Sequence, residues 1–225
     1  CAVQLSRRGY EVVLEESNTK LGGGVLFASS LKGLSARRRV VDNRVHEILQ
    51  KNNIEVYKES RLTAELIDEL DIKNIFLATG SSWRKDGIGR SRRNRIQGLE
   101  TINVYSPEEA VENYKDFNGP LVIYDDEQGY LAGVVADHLN DKNIEVIFVT
   151  PASVVSPWTD STLEQKRVQG ALINSGVKII CNQSISKIEN DKAFLECTYT
   201  GTITKIPCES IVMVTERISH NELYD

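Results

Sequence analysis

A stretch in the middle of the chain combines two apolar runs with a helical segment between them. Residues 119–151 read GPLVIYDDEQGYLAGVVADHLNDKNIEVIFVTP. The runs at 121–124 and 145–149 have the length of buried strands, and the segment around 131–139 has helical periodicity. Two strands joined through a helix lie parallel in one sheet. The stretch therefore predicts an α/β fold built on a parallel sheet.

The same pattern occurs near the amino-terminal end of the chain. LSRRGYEVVLEE at 5–16 aligns with LNDKNIEVIFVT at 139–150, and IKNIFLATGS at 72–81 resembles ESIVMVTERI at 209–218. Each copy has a helix end, a short polar turn and a strand, so the chain carries two β-α-β modules in tandem.

These repeats predict a domain over residues 1–104 and a second over 105–225, with residues 81–104 as a linker. In the second domain, short alternating runs after Gly176 predict a small antiparallel meander. Ser106, followed by Pro107 and two acids, predicts a helix start, and Gly176 predicts a left-handed helix end. The other predicted elements are helices at 36–51, 63–70 and 161–176 and strands at 11–15, 54–57, 73–78 and 211–215.

Composition and charge exclude several functional classes. The chain has 225 residues and a net charge of -5, which disfavours a general nucleic-acid binder. No apolar run approaches the roughly 18 residues of a membrane span. The four cysteines have no metal-ligand spacing, so we expect no metal site and mostly buried, reduced thiols in a cytoplasmic protein. A basic cluster at 84–95 lacks the interleaved aromatic residues of a single-strand binder.

Six segments together resemble a known family: RRGYEVVLEESNTKLGGGV, YKESRLTAELIDEL, IFLATGSSWRKDG, YDDEQGYLAGVVADHL, TLEQKRVQGAL and IVMVTERISHNELY. They resemble the carboxy-terminal nucleotide-binding domains of the trimethylamine dehydrogenase, dimethylamine dehydrogenase and 2,4-dienoyl-CoA reductase group of iron–sulfur flavoproteins. The resemblance implies two tandem Rossmann-like, glutathione-reductase-like FAD/NAD(P)-binding domains of three layers. The acidic DDE turn with TLEQ downstream is most similar to the amine dehydrogenase branch.

In this family an amino-terminal barrel carries FMN and a 4Fe-4S cluster and performs the substrate chemistry. The resemblance implies that the chain starts after the G-x-G-x-x-G loop and ends before the last strand of the first domain, so that it is not catalytic alone. The implied partners are the protein's own flavin barrel and an external electron-transfer flavoprotein, and a homodimer stays open. The basic cluster at 84–95 is then either a solvated linker or a contact with that barrel.

The candidate cofactor site lies in the first module, where the resemblance implies ADP or FAD. Glu16 ends a strand, and an acid at this position of a dinucleotide fold accepts the hydroxyls of the adenosine ribose. Each other candidate has a structural interpretation beside the functional one: a turn, a core side chain or a tight strand end. They are Gly22, Gly23, Leu62, Ala78, Thr79 and Gly80. The histidines have no assigned role, and no catalytic residue is predicted.

The second module has lost the features that hold a dinucleotide. Its turn carries Asp125, Asp126 and Glu127, its strand end is Thr150, and Glu216 stands where the first module has Gly80. We expect the acids to repel a pyrophosphate and to stabilise the helix start. This favours the amine dehydrogenase branch with an empty second module. The alternatives are the reductase branch with FAD and NADPH, and a nucleotide-binding scaffold without chemistry.

Overall fold

The computed structural model describes residues 1–69 and 72–224, and the chain forms two compact units within it. The first unit contains residues 1–80 and returns at residues 219–225, whereas the second contains residues 81–218. The second unit is thus an insertion in the sequence of the first. The predicted boundary after residue 104 lies inside the second unit.

The first unit is built on a short parallel strand pair. Its elements are α1 (Ala2–Arg7), β1 (Val12–Glu16), α2 (Gly24–Ser30), α3 (Arg38–Leu49), β2 (Ile54–Lys58) and α4 (Ala64–Glu69), with a 3-10 turn at Ser35–Arg37. The register of β1 and β2 places Glu16 opposite Lys58. Asn53 fixes the approach to this pair, because its side-chain amide donates to the carbonyl oxygens of Ser6 and Tyr10 at 3.1 and 2.8 Å. The predicted strands at 11–15 and 54–57 are confirmed within one residue.

The predicted strand at 73–78 is wrong. Residues 72–80 form no strand, and Phe76 has 61% of its surface exposed. Apolar sequence becomes a strand only where a neighbour completes its backbone hydrogen bonds. Within the described ranges no strand pairs with this segment. The helix predicted at 63–70 is found as α4, with the Leu66 N–H donating to Thr63 Oγ1 at 3.3 Å, and its predicted last residue, Leu70, lies outside the described residues.

The second unit is a three-layer α/β structure. Its elements are β3 (Ser81–Trp83), β4 (Asn103–Tyr105), α5 (Pro107–Glu112), β5 (Leu121–Asp125), α6 (Leu131–Asn140), β6 (Val146–Val149), α7 (Gln165–Asn174), β7 (Lys178–Ile180), β8 (Gln183–Glu189), β9 (Lys192–Cys197), β10 (Ile203–Pro207), β11 (Ser210–Val214) and β12 (Arg217–Ser219), whose last residue belongs to the first unit. The parallel sheet has the order β4-β11-β5-β6-β7, and β8, β9 and β10 form an antiparallel sheet.

The two faces of β5 explain the layers. Helices α5, α6 and α7 contact the parallel sheet, while Val122 and Tyr124 pack with Ile185 and Leu195 of the antiparallel sheet in one buried cluster. All five residues of β5 are buried, as expected for a central parallel strand. The predicted meander is confirmed for β8 to β10. Residues 177–182 were assigned to it wrongly, because α7 carries the chain across so that β7 pairs with β6 in the parallel sheet.

Residues 81–104 are part of the second unit rather than a linker. Trp83, Ile96 and Leu99 are each less than 9% exposed, and β4 pairs with β11. Ile96 and Leu99 belong to the same buried cluster as β5. The segment packs against this core through its few apolar residues. Its many charged residues suggested a solvated linker instead.

Local start and stop signals agree with the sequence. Ser106 caps α5 in a capping box with Glu109, with Pro107 at the first position. Gly176 follows α7 with a left-handed φ of 79°. The helix predicted from residue 161 starts only at Gln165, since Leu163 has φ 60° and a 3-10 turn occupies Pro157–Thr159.

Candidate functional site

The carboxylate of Glu16 closes a tight turn at the end of β1. Its Oε1 accepts the backbone N–H of Asn18 at 2.9 Å and the Asn18 side-chain amide at 2.8 Å. The Ser17 hydroxyl donates to the same oxygen at 3.4 Å. Within the described part of the chain, all hydrogen bonds of this carboxylate go to Oε1, which leaves Oε2 to accept from a ligand. The arrangement suits recognition of a ribose hydroxyl.

The glycine turn after β1 needs glycine for two different reasons. Gly22 has φ 130°, and a Cβ there would lie 2.8 Å from Val41 Cγ1 of α3. Gly23 has φ 49° and open space around a Cβ position. Gly22 is therefore required by helix packing and backbone conformation, whereas Gly23 presents an open, left-handed backbone at the start of α2.

The third candidate group lies in a separate crevice of the same unit. Ala78, Thr79 and Gly80 are exposed and line a cavity of about 320 Å³ with Leu77, Ser219, His220, Asn221 and Tyr224. The His220 backbone N–H donates to the Gly80 carbonyl at 3.1 Å, and the Thr79 hydroxyl donates to the His220 carbonyl. Sequence reasoning gave His220 no role, although its segment was one of those that carried the family resemblance.

The structure does not gather all the candidates into one cavity. Glu16, Gly22 and Gly23 share one turn, and none of them lines the crevice at residues 77–80. Leu62 is half-buried and lies outside the fully buried core. In the described residues, no group of three or more His, Cys, Asp and Glu side chains could hold a metal ion.

The acidic turn of the second unit is held by its own carboxylates. Asp125 Oδ1 accepts the Gln128 N–H at 2.7 Å, and Glu127 Oε2 accepts the Gly129 N–H at 2.8 Å. Burial raises the pKa of Asp125 well above its usual value, which reduces its negative charge. These acids lie before α6, which has no acid in its first turn, so their stabilisation of the helix start as charges stays a prediction. Asp125 and Glu127 bond N–H groups of the turn itself.

A loop at residues 89–92 packs against the acidic turn. Asp126 is fully buried, and its Oδ2 accepts the backbone N–H groups of Ser91 at 2.9 Å and of Arg92 at 3.3 Å. Gly89 approaches so closely that a Cβ there would lie 2.5 Å from Asp126 Oδ2. Residues 89–92 therefore wrap the carboxylate where a dinucleotide turn would face its phosphates. The sequence shows Gly89 next to basic residues, but it does not show that this glycine packs against Asp126.

Most charges of the basic cluster are used within the second unit. Arg84 pairs with Asp86 at 2.6 Å, and the Lys85 ammonium donates to Glu109 Oε1 at 2.7 Å. The remaining arginines make weaker or different contacts: Arg95 lies 3.5 Å from Asp86, Arg92 donates to Ser186 O at 3.2 Å, Arg93 donates to Gly89 O at 3.5 Å, and Arg90 lies over the Trp158 ring. The contacts of Arg93 and Arg95 are equally long, but that of Arg93 goes to a backbone carbonyl rather than to an acid.

Two further findings concern membrane spans and cysteine residues. Among the described residues, no helix is both long and apolar enough to cross a membrane. All four cysteines are free thiols, but only Cys208 is buried, so the expectation of mostly buried thiols is wrong.

Comparison with known proteins identifies the family. The family model for pyridine nucleotide-disulphide oxidoreductases matches residues 1–224. The chain is 24% identical over 250 residues to dimethylamine dehydrogenase of Hyphomicrobium sp. (strain x), covering all of this chain and 34% of that protein.

Two solved structures are more similar in sequence. Histamine dehydrogenase from Rhizobium sp. 4-9 is 37% identical with a TM-score of 0.94, over 99% of this chain and 34% of that one. The 6-hydroxypseudooxynicotine amine oxidase of Pseudomonas geniculata N1 is 32% identical with a TM-score of 0.93, over 99% of this chain and 33% of that one. The chain spans about a third of the length of these relatives. With its two nucleotide-fold modules and a match over nearly its whole length, the chain belongs to the pyridine nucleotide-disulphide oxidoreductase family.

Proposed function

We propose that the chain is the nucleotide-binding part of an amine-dehydrogenase-like iron–sulfur flavoprotein oxidoreductase. Its first module holds ADP or FAD, and its second module holds no NAD(P)H. The relatives named for dimethylamine and histamine oxidation support the amine as substrate class. The free cysteines are compatible with a cytoplasmic protein.

The first half of this proposal, a nucleotide in the first module, rests on the hydrogen bonds of the Glu16 carboxylate. Its Oε1 is saturated by the turn at residues 16–18, and its Oε2 is left to accept from a ligand. Next to it, Gly23 presents backbone without a side chain. Glu16 would bind the ribose and Gly23 would let the nucleotide approach the backbone. A bound FAD would supply redox chemistry there, whereas ADP would supply none.

The second half, a second module without NAD(P)H, rests on the acidic turn at residues 125–127. A pyrophosphate needs N–H donors and a positive helix end, but the N–H groups of Gln128 and Gly129 already donate to Asp125 and Glu127. Residues 89–92 bind Asp126 at the same turn. This disfavours the reductase alternative, in which NADPH occupies the second module.

FMN and a 4Fe-4S cluster belong to the barrel in the proposed whole protein, and electrons leave to an external electron-transfer flavoprotein. The runner-up is a 2,4-dienoyl-CoA-reductase-like enzyme with FAD and NADPH. A scaffold that binds a nucleotide without chemistry is the non-enzymatic alternative. The relatives' names favour the first of the three.

The test is nucleotide extraction from the full-length protein and from Glu16→Gln. Wild-type protein should release about one adenine nucleotide per chain, and the variant should retain less. Losing a hydrogen bond to a charged group costs about 1.5–3 kcal/mol, or roughly a tenfold or greater fall in affinity. Glu15→Gln is the matched control, since Glu15 bonds the Ser60 hydroxyl instead. Equal occupancy in all three proteins would remove Glu16 from the site.

The same preparation separates the two enzyme classes. An amine should reduce its flavin, and NADH and NADPH should give neither saturable binding nor flavin reduction. Saturable NADPH binding that a change at Gly129 abolishes would establish the reductase alternative instead.

A further inference from the structure

A second cavity in the first unit lies beside the glycine turn, since Leu21 lines it and Gly22 packs against Val41 of its wall. It has a volume of about 330 Å³ and opens between the turn at residues 20–21, helix α3 and the end of β2. Neither Glu16, Gly22, Gly23 nor residues 77–80 line it. Its volume lies at the lower end of the range for small-molecule sites, roughly 300–1,000 Å³.

The floor of this cavity is apolar. Val41, Val45 and Leu49 are spaced four residues apart along α3 and therefore share one face, and Leu21 of the turn joins them. Val41 is 7% exposed whereas Leu49 is 73% exposed. The apolar stripe thus begins in the core and continues uncovered along the cavity, which is where an apolar ligand would gain by burial.

The rim of the cavity is positively charged. Lys20 lies in the turn after β1, Lys58 ends β2, and Arg38 and His46 come from α3. Asp42 supplies the one acid of the lining and is paired with Arg38 Nε at 2.9 Å. Neither lysine forms an ion pair within residues 1–69 and 72–224. In the described part of the chain, two ammonium groups of the lining therefore have no ion-pair partner, although Glu16 lies opposite Lys58 in the strand register.

From this combination we infer that the cavity binds a small amphipathic anion, namely a carboxylate on an apolar chain or ring. The apolar part lies on Val45 and Leu49, and the carboxylate lies between Lys20 and Lys58. A dinucleotide is too large for the volume, and a bare inorganic anion would leave the floor unused. The cavity and the proposed nucleotide site share no residue.

The test uses octanoate as the ligand. Acetylation of individual lysines in the full-length protein shows where octanoate binds. Saturating octanoate should slow acetylation of Lys20 and Lys58, measured peptide by peptide by mass spectrometry, while Lys73 and Lys178 react at unchanged rates. Butanoate should bind more weakly because it covers less of the floor. Unchanged acetylation of Lys20 and Lys58, or equal binding of both acids, would overturn the inference.

Charge reversal tests the rim by calorimetric titration with octanoate. Lys20→Glu/Lys58→Glu should weaken binding by tenfold or more, the equivalent of about one lost charge-assisted contact. Lys73→Glu/Lys178→Glu makes the same change in net charge at exposed positions away from the cavity and should leave binding unchanged. Leu49→Ser, at an already exposed position, should reduce the preference for octanoate over butanoate. Equal weakening by both double variants would assign the binding to net charge and contradict the site.

Discussion

At the scale of single residues, an acid that ends a parallel strand has different surroundings in the two modules. Glu16 ends its strand half-buried, with one carboxylate oxygen left for a ligand. Asp125 ends β5 completely buried, with Oδ1 bonded to Gln128 and Oδ2 lacking a partner among the described residues. Burial of an acid raises its pKa because the charged form loses its hydration. The strand-end acid is thus half-buried in one module and part of the core in the other.

Asp125 gives the second unit a pH-dependent stability. Below the usual pKa of 3.8, both the folded and the unfolded chain carry the proton. Between that value and the raised pKa of the folded state, only the unfolded chain ionises, so the free energy of unfolding falls by about 1.4 kcal/mol per pH unit. Asp125→Asn has no proton to lose, so its stability relative to wild type should rise with pH across this window.

The urea midpoint for labelling of the buried Cys208 thiol would measure this effect, with wild type and variant compared at each pH. Asp126→Asn serves as the control for a neighbouring acid. A difference between Asp125→Asn and wild type that stays constant from pH 4 to pH 8 would show that Asp125 ionises normally.

Gly22 should be intolerant of any side chain. Gly22→Ala places a Cβ at φ 130°, 2.8 Å from Val41 Cγ1 and 3.0 Å from Leu26, and should destabilise the first unit by about 1–3 kcal/mol. Gly24→Ala, at the first position of α2 with nothing within 4 Å, should be neutral or slightly stabilising. Hydrogen exchange of α2 and α3 peptides compares them, and similar exchange in both variants would contradict the packing role.

At the scale of elements, a backbone loop and a buried carboxylate bind each other at the acidic turn of the second unit. The segment 89–92 donates two N–H groups to Asp126, and Gly89 N donates back to Arg92 O at 2.9 Å to close the loop. Because Asp126 is fully buried, its bonds are not weakened by water. The loop is therefore an integral part of the second unit.

Asp126→Ala should release this loop. Loss of bonds to a buried carboxylate costs about 1.5–3 kcal/mol, so the Ser91 and Arg92 amides should exchange roughly tenfold faster or more. Glu127→Ala is the matched control, since Glu127 bonds Gly129 and does not touch the loop. Exchange that accelerates equally in both variants would mean that the turn, rather than Asp126, holds the loop.

At the scale of the whole molecule, the remaining charges of the basic cluster favour a contact outside this chain. Arg84 and Lys85 have acidic partners in the second unit, so we now assign the proposed contact with the flavin barrel to Arg93. Its polar contact, to Gly89 O, is 3.5 Å long, and the residue is exposed. Arg93→Glu should therefore accelerate proteolysis between these units and the rest of the full-length protein.

Lys115→Glu is the control for this experiment, as an exposed reversal of the same charge. Identical digestion of Arg93→Glu and wild type would exclude the contact. Faster digestion of both variants would assign the effect to net charge.

The sequence by itself determined the features that depend on neighbours along the chain. Alternation and helical periodicity predicted the α/β class and most strands within one residue. Ser106, Pro107 and Gly176 marked helix ends through backbone geometry that is local to each residue. The strand-end acid Glu16 and the glycine turn were visible for the same reason.

Tertiary structure alone decided what depends on distant partners. Residues 73–78 are apolar enough for a strand but lack a neighbour to bond within the described chain. Residues 177–182 look like a meander strand but join the parallel sheet beside β6. The partner of Asp126 is a loop 35 positions away in sequence. Hydrogen bonds between segments far apart in sequence form only where the fold places those segments side by side. Local sequence patterns do not contain that information.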